Sequence, residues 1–296
     1  MESSIQDKRT QLYTYAAAFL AVFLWASAFP ATRYALQYYS PVSLMVLRFG
    51  AASITLGIIG LLKRIKLPRL KDLPLFAASG LSGVFLYSYL FNTGSVSVSA
   101  GVSSFIIASS PVFTMVLTMV FLKEAIRPRC WIGILISCLG LAAVTLTQSS
   151  DFSFSMGLLL VIGAAVSSGV YSAIMRSVTK KYTAFEATTY TIIAGTLGTL
   201  LFLPTAINEV PGSNITVNLI VILMGIFPAA VAYLAWSYAL SKAKKTTHVI
   251  VFSYLIPFIS ALIAYIWLRE TLSLFTLAGG LIIIGGMVLT NIFDKE

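Results

Sequence analysis

Two stretches of this sequence end in the same pair of ionisable residues, a cation followed by a glutamate. They are PVFTMVLTMVFLKE, residues 111–124, and PFISALIAYIWLRE, residues 257–270. A buried carboxylate at either position could carry a proton across a membrane. A carboxylate that pairs with a cation or with a neighbouring helix would instead latch helix ends together. Because a helix C-terminus disfavours an anion, Glu124 and Glu270 each need a partner, which favours the latch.

The same two stretches begin with a proline. Within a helix, Pro111 and Pro257 each remove one backbone hydrogen bond and bend the helix. Two bends at matched places are expected to act as hinges, or alternatively as fixed kinks that shape a cavity.

Arg48 is the only formal charge that lies well inside an apolar segment. A charge within the membrane is costly, so it indicates a functional site by default. The functional interpretation is a contact to an anion such as a substrate carboxylate. The alternative is a structural arginine whose side chain extends towards the headgroups or bonds to helix-end carbonyls.

Aromatic and polar side chains recur at positions deep within several apolar segments. Some of them are expected in the interfacial aromatic belt or in hydrogen bonds between helices. An aromatic cavity with few hydroxyl groups would suit amphipathic or aromatic solutes. The residues that we predict to bind substrate are Trp25, Tyr87, Asn92, Ser109, Tyr233, Trp236 and Tyr254.

The sequence carries no set of residues with the types and spacing of a metal, cofactor or catalytic site. The single histidine, His248, and the two cysteines, Cys130 and Cys138, do not form a metal-ligand pattern. No phosphate-binding loop and no nucleophile elbow is found. We therefore expect no metal, no cofactor and no enzymatic activity.

The composition is that of a membrane protein. Hydrophobic residues make up 58% of the 296 positions and charged residues 10%, whereas soluble domains carry about 25% charged residues. A helix needs about 20 apolar residues to cross the hydrocarbon. The sequence predicts an all-α membrane protein with ten transmembrane helices, at residues 12–34, 41–62, 73–93, 98–122, 129–148, 155–176, 185–204, 215–239, 247–268 and 272–293.

The positive charges indicate the orientation in the membrane. With the N-terminus in the cytoplasm, 17 of the 20 lysines and arginines fall in the two tails or in the four cytoplasmic connections, as the positive-inside rule requires. We predict a multi-pass protein of the plasma (inner) membrane with both termini cytoplasmic. The expected partners are the lipid bilayer and a small-molecule substrate, without nucleic acid, and the protein is expected to be a monomer or a homodimer.

The chain repeats itself. An offset of 146 residues aligns Tyr87 with Tyr233 and the first fourteen-residue stretch with the second, and an offset of 143 aligns Arg33 with Arg176 earlier in the chain. Self-similarity at a fixed offset indicates a duplicated structural unit. The predicted units are a first five-helix repeat, residues 1–148, and a second, residues 149–296.

Five spans per unit is an odd number, so the two units must lie in opposite orientations. Inverted repeats are typical of secondary transporters, in which the substrate site lies between the repeats near the middle of the membrane. The predicted fold is therefore ten transmembrane helices arranged as two inverted five-helix repeats.

The motifs resemble a known group of transporters. Proline, apolar residues, Phe-Leu-Lys-Glu and then a glycine-spaced helix, present with variation in both halves, resemble the drug/metabolite transporter superfamily and, within it, the EamA-type permeases. Trp25, Arg33, Pro41 and the Leu47-Arg48-Phe49 sequence are also similar to that family. The second half departs from the pattern, since Ser168 and Thr191 stand where the first half has Trp25 and Arg48.

The resemblance implies export or exchange of small organic metabolites, such as amino acids, by alternating access. Because the deep segments contain no acidic residue, facilitated diffusion or exchange is favoured over carboxylate-driven proton antiport. The alternative within this class is a proton-coupled multidrug efflux pump. A channel would need polar stripes along whole helices, and an enzyme would need convergent catalytic groups; neither pattern is seen in the sequence.

Overall fold

The computed structural model of this protein describes residues 2–122, 127–146, 155–242, 249 and 251–295. Helices dominate the described residues, and none of those residues lies in a strand. The α-helices are α1 (Glu2–Ala35), α2 (Pro41–Leu62), α3 (Leu73–Gly80), α4 (Tyr87–Ser95), α5 (Ala100–Ala108), α6 (Ser110–Leu122), α7 (Cys130–Leu146), α8 (Met156–Val178), α9 (Ala184–Thr199), α10 (Leu203–Glu209), α11 (Ile215–Ile226), α12 (Ala232–Lys242), α13 (Ile256–Leu268) and α14 (Leu274–Lys295).

The apolar helices identify a multi-pass membrane protein. Among the described residues, seven helical segments are long and apolar enough to cross a bilayer. Three shorter apolar helices, Cys130–Val144, Phe252–Leu268 and Leu274–Thr290, coincide with the other predicted spans. The all-helical membrane fold is thus confirmed, whereas the count of ten full spans stays a prediction.

Local sequence explains where the helices begin. Ser40 is the N-cap of α2, where its Oγ accepts from the Ser43 N–H at 3.3 Å, and Pro41 follows at the first position. A capping side chain satisfies an amide that has no partner within the helix, and proline has no amide to satisfy. Thr183 caps α9 in the same way and forms a capping box with Glu186.

Two predicted spans are interrupted by π-helical turns at matched positions. The first turn, Leu81–Leu86, joins α3 to α4, and the second, Phe227–Val231, joins α11 to α12. Their first residues are 146 positions apart, which is the offset of the sequence repeat. π-Turns occur mostly as single insertions in α-helices and often at functional sites. The sequence predicted continuous helices here.

Two further spans are interrupted next to the matched prolines. Ser109 separates α5 from α6, and a 3₁₀ segment, Val251–Leu255, precedes α13. Pro111 is the second residue of α6, and Pro257 is the second residue of α13. Because proline cannot donate a backbone hydrogen bond, each helix restarts at the proline instead of continuing through it.

Matched helices make matched contacts. Helix α1 packs against α12 and α13, and α8 packs against α4 and α6; likewise α2 packs against α11, and α9 against α3. The segments that follow α1 and α8 are hydrogen-bonded to the other half in the same pattern. The Tyr39 hydroxyl lies 2.8 Å from the Ser213 Oγ, and the Tyr182 hydroxyl donates to the Asp72 carboxylate at 2.9 Å. Tyr39 and Tyr182 are 143 positions apart.

Helices α7 and α14 pack closely on each other through glycine. A Cβ on Gly286 would lie 2.5 Å from both the Gly133 carbonyl oxygen and the Ser137 amide nitrogen. The Ser137 Oγ donates to the Ile283 carbonyl at 3.1 Å across the same interface. Small residues permit such close approach of helices in lipid, so this pair serves as a packing scaffold.

We expect Gly286→Ala to destabilise the protein by about 1–3 kcal/mol, the typical cost of overpacking. The matched control is Gly285→Ala, because nothing lies within 4 Å of a Cβ at Gly285. The measurement is the melting temperature of the purified protein in detergent. Equal melting temperatures for the two variants would contradict the glycine contact between α7 and α14.

Candidate functional site

A cavity of about 520 Å³ lies among the interrupted helices. Its wall is mainly apolar and aromatic, and both π-turns, both proline-associated interruptions and helices α1, α2, α8 and α9 contribute to it. A volume of this size suits a small organic molecule. Seven of the predicted site residues line it: Trp25, Arg48, Tyr87, Pro111, Tyr233, Trp236 and Tyr254.

The lining is built from residues at equivalent positions of the sequence repeat. Nine pairs separated by 143 or 146 residues have both members in the wall. They are Trp25 and Ser168, Ala28 and Tyr171, Phe29 and Ser172, Arg48 and Thr191, Phe49 and Ile192, Gly83 and Ala229, Tyr87 and Tyr233, Ile107 and Ser253, and Ala108 and Tyr254. Only the pair Tyr87 and Tyr233 consists of the same residue type. The two halves of the chain therefore contribute wall residues at equivalent positions but of different chemical types.

Three aromatic side chains from two helices form one wall. The Trp25 ring lies 5.4 Å from the Tyr233 ring and 5.3 Å from the Trp236 ring, measured between ring centroids. The Trp25 indole N–H donates to the Pro228 carbonyl at 3.1 Å. Because that bond occupies the polar edge of the indole, the ring presents apolar surface to the cavity.

Both π-turns are supported by a side chain from a neighbouring helix. Trp25 donates to the carbonyl of Pro228, and Ser167 donates to the carbonyl of Ser82 at 2.8 Å. Ser82 and Pro228 are 146 positions apart. Each π-turn therefore has one carbonyl that accepts a hydrogen bond from a side chain of a neighbouring helix.

Arg48 brings one positive charge to the cavity wall. Its guanidinium carbon lies 5.3 Å from the Phe49 ring centroid, and the charge interacts electrostatically with Tyr87 and Tyr233. The Arg48 Nε is buried and has no hydrogen-bond partner among the described residues. A buried donor without a partner is costly, and an acceptor on a ligand in the cavity would remove that cost.

No described carboxylate neutralises Arg48. The cavity wall contains no aspartate or glutamate among the described residues. Each acidic residue whose side chain is described contacts another group: Asp72 contacts Lys181, Glu186 contacts Thr183, Glu209 contacts the Ser40 N–H, and Glu270 contacts Arg33.

Four described site residues predicted from the sequence do not line the cavity: Asn92, Ser109, Pro257 and Glu270. The Asn92 amide donates to the Pro41 carbonyl at 3.0 Å, so it joins α4 to the start of α2. The Ser109 hydroxyl donates to the Ile106 carbonyl at 2.6 Å within its own helix end. Pro257 is buried and does not line the cavity, although the preceding residue, Ile256, does. A substrate contact by Asn92 or Ser109 therefore finds no support in this geometry.

Glu270 joins three helices at one end of the bundle. Its carboxylate contacts the Arg33 Nε at 3.2 Å and accepts from the Ala100 N–H at 2.8 Å, at the start of α5. Arg33 also donates to the Ser95 carbonyl at 2.8 Å. An anion is favoured at a helix N-terminus, which supplies the partner that the position of Glu270 requires. Glu124 lies outside the described residues.

The structure adds residues that sequence reasoning missed. Tyr171 lines the cavity and interacts electrostatically with Tyr233. Ser168 and Ser172 also lie in the wall. The repeat offset contains a signal for Tyr171, because it aligns Tyr171 with Ala28, which lies one helical turn beyond Trp25. The signal is weak, because an alanine at the equivalent position does not indicate a binding site.

The family comparison follows the same two halves of the chain. The model of the EamA-like transporter family matches residues 12–146 and again residues 155–292. The chain belongs to the EamA-like transporter family. Members of this family are transporters, and so the EamA assignment makes transport the activity class of the protein.

Relatives of this EamA protein occur in bacteria and archaea. It is 33% identical over 272 residues to the "Uncharacterized transporter YdfC" of Bacillus subtilis, covering 92% of this chain and 88% of the relative. It is also 33% identical to a "Probable terminal-alkyne amino-acid exporter" of Streptantibioticus cattleyicolor, covering 92% and 91% of the two chains. An "Uncharacterized transporter" of Archaeoglobus fulgidus is 34% identical, covering 90% and 94%.

A solved crystal structure shares the EamA protein's fold. The TM-score is 0.66 at 18% sequence identity, and the match covers 96% of this chain and 98% of the other. At that identity the likeness concerns the fold alone.

We expect Gly83→Ala to displace the Tyr171 ring, because a Cβ on Gly83 would overlap that ring. The displacement should change the position of Tyr171 in the cavity wall and weaken transport about tenfold, equivalent to about 1.4 kcal/mol. Gly57→Ala is the control, since nothing lies within 4 Å of a Cβ at Gly57. Transport into proteoliposomes at matched protein content is the measurement, and equal rates for the two variants would remove Tyr171 from the site.

Proposed function

We propose that this protein is a secondary transporter that exports or exchanges small organic metabolites, amino acids or related compounds, by alternating access. In this proposal residues 1–148 and 149–296 are two inverted five-helix repeats, the chain crosses the plasma membrane ten times with both termini in the cytoplasm, and the cavity is the substrate site.

The observation that carries the proposal is the paired lining of the cavity. Residues at equivalent repeat positions meet there in nine pairs, among them Tyr87 with Tyr233 and Arg48 with Thr191. A transporter built from inverted repeats needs its site between the repeats, so that exchanging their conformations opens the site to either side. The matched helix interruptions around the same cavity support this reading, because irregular backbone is tolerated in a membrane where it borders a cavity.

The chemistry of the wall supports a substrate with a carboxylate and an apolar or aromatic portion. Arg48 is a cation without a carboxylate neighbour among the described residues, and an arginine fork suits carboxylate binding. Trp25, Tyr233 and Trp236 provide apolar surface beside it. The "Probable terminal-alkyne amino-acid exporter" that is 33% identical to this chain adds support for an amino-acid substrate.

The second candidate is a proton-coupled multidrug efflux pump. Cationic drugs are favoured by a deep carboxylate, and the described cavity wall contains none. Glu270 is engaged with Arg33 and Ala100 at a helix end, away from the wall. These contacts favour facilitated diffusion or exchange over proton antiport.

The experiment that tests the function is exchange in proteoliposomes. Vesicles are loaded with unlabelled amino acids and related carboxylates, and entry of labelled partners is followed with and without a pH gradient. Exchange that is independent of the gradient supports the proposal. Uptake that requires the gradient would contradict the proposed coupling, and transport of cationic drugs without any carboxylate would favour the second candidate.

Arg48→Gln should abolish saturable uptake of carboxylates, or lower it at least about 100-fold, the loss of about 3 kcal/mol in a charge-assisted contact. Arg127→Gln is the control, because Arg127 is exposed and lies outside the cavity wall. Uptake is measured at matched protein content. Unchanged carboxylate uptake by Arg48→Gln would make Arg48 a structural residue.

The double variant Tyr233→Ala plus Trp236→Ala should impair transport while its abundance in the membrane stays normal, because it removes two aromatic surfaces from one wall. Tyr265→Ala is the control, since 54% of Tyr265 is exposed on the outside of the bundle. Transport rate and membrane abundance are measured together. Normal uptake by the double variant would remove α12 from the site.

A further inference from the structure

A basic segment, residues 63–71, joins α2 to α3 at one end of the bundle. Its sequence is KRIKLPRLK, and all five of its lysines and arginines are exposed. Helices α2 and α3 belong to segments that are long and apolar enough to cross a bilayer. The basic segment therefore lies where the chain leaves the hydrocarbon, at the level of the lipid headgroups.

Two tyrosines from the second half of the chain hold the backbone of the basic segment in place. The Tyr190 hydroxyl donates to the Lys66 carbonyl, and the Arg69 N–H donates to the Tyr182 hydroxyl at 3.1 Å. Between the ends of α2 and α3, Ile65 packs against a buried hydrophobic cluster that includes Tyr190. Because these bonds use backbone atoms of Lys66 and Arg69, the fold does not occupy the two cationic side chains.

The described carboxylates do not neutralise the basic segment. Asp72 directly follows the segment, but it is buried and its Oδ1 lies 2.7 Å from the Lys181 Nζ. Among the described residues, no carboxylate forms an ion pair with Arg64, Lys66 or Arg69. An anion from outside the chain would therefore meet an uncompensated positive surface here.

Arg64 occupies a backbone position that usually belongs to glycine. It follows the end of α2 with a φ of 52°, in the left-handed region, and the next N–H, that of Ile65, donates to the Gly60 carbonyl at 3.1 Å. Glycine is common at such helix ends because a Cβ is strained in this conformation. The chain thus accepts backbone strain at a position where it carries an exposed cation, and such strain often accompanies function.

The basic segment also presents leucines to the outside. Leu67 is 89% exposed and Leu70 is 83% exposed. Beside a bilayer, such leucines can insert among acyl chains while the neighbouring cations extend to the phosphates. Basic and apolar side chains in one exposed segment are typical of chains that lie in the membrane interface.

The equivalent connection in the second half has the same place in the fold without these charges. The offset of 146 aligns residues 63–71 with residues 209–217, EVPGSNITV, which contain no lysine or arginine. That connection is also bonded to the other half by a tyrosine, since the Tyr39 hydroxyl lies 2.8 Å from the Ser213 Oγ. The connection can therefore form without cations, and the charges of the basic segment need another explanation.

We propose that Arg64, Lys66 and Arg69, together with Leu67 and Leu70, form a binding site for an anionic phospholipid. The cations bind its headgroup phosphate, and the leucines contact its acyl chains. Cation clusters next to a membrane span are suited to anionic lipids, and arginine can bond a phosphate through two parallel hydrogen bonds. The inference does not depend on the proposed function, because it concerns another surface and requires no substrate.

The test is the rise in melting temperature that added lipid causes in the purified 296-residue chain in detergent, because a ligand that binds only the folded state stabilises it according to its affinity. The first probe is dioleoylphosphatidylglycerol, which carries a net negative charge. Dioleoylphosphatidylcholine has the same chains without the net charge, and glycerol 1-phosphate is an anion without chains.

The main variant is Lys66→Gln plus Arg69→Gln, which leaves the backbone bonds of both residues in place. The control is Arg127→Gln plus Lys242→Gln, because it also removes one arginine and one lysine, both exposed, from outside the basic segment. Leu67→Ser plus Leu70→Ser removes the apolar contacts and keeps the cations. The melting temperature of each variant without lipid shows that it is folded.

The wild type and the control should bind phosphatidylglycerol about tenfold or more tightly than phosphatidylcholine. The preference of the wild type should fall as added salt screens the charges, which tests the site without any substitution. Lys66→Gln plus Arg69→Gln should lose most of the preference and keep its affinity for phosphatidylcholine. Leu67→Ser plus Leu70→Ser should bind both lipids more weakly.

Three outcomes would overturn the inference. The first is equal stabilisation of the wild type by the two lipids. The second is an equal loss of preference in the main variant and in the control, which would make the preference a property of the total charge and not of this site. The third is stabilisation by glycerol 1-phosphate as strong as that by phosphatidylglycerol, which would make the surface a site for a soluble anion.

Discussion

Inside the hydrocarbon of a bilayer, water is not available to bond with a backbone N–H or C=O, so the chain itself must satisfy these groups. The described chain meets this constraint with helices and interrupts them at four places that border one cavity. Side chains bond to backbone carbonyls at these places: Trp25 donates to Pro228, Ser167 donates to Ser82, and Ser110 donates to the Ile107 carbonyl at 2.5 Å. The cavity therefore lies where the helices are interrupted.

A second constraint is the cost of a charge away from water. Arg33 is neutralised by Glu270 at a helix end, whereas Arg48, which lies in the cavity wall, has no carboxylate partner among the described residues. Aromatic rings and hydroxyl oxygens surround it instead of acids. An isolated buried cation is tolerated best when its counterion comes with the ligand. The cost of burying the Arg48 charge therefore favours a substrate that carries a negative charge.

The sequence predicted the helical class, the apolar spans and seven residues of the cavity wall, because hydropathy, matched prolines and deep aromatic residues leave a signal in one dimension. It did not predict the π-turns at Leu81–Leu86 and Phe227–Val231. Each π-turn is contacted by a donor from another helix, such as Ser167, and the local sequence of the turn does not predict that contact. Asn92 and Ser109 are polar residues deep within apolar segments, but their side chains bond to backbone carbonyls, as polar groups in helices often do.

By itself, the sequence determined that the chain is a helical membrane protein with two similar halves. The helical spans can be predicted because the length of an apolar run depends on the thickness of the bilayer and on helical rise. Only the tertiary structure decided which members of the two halves meet. It brought Tyr171 to Tyr233 and gave Glu270 its partner Arg33 from a helix 237 positions away. Such contacts depend on how whole helices rotate and pack against each other. The periodicity within one helix does not predict which residues of another helix it will contact.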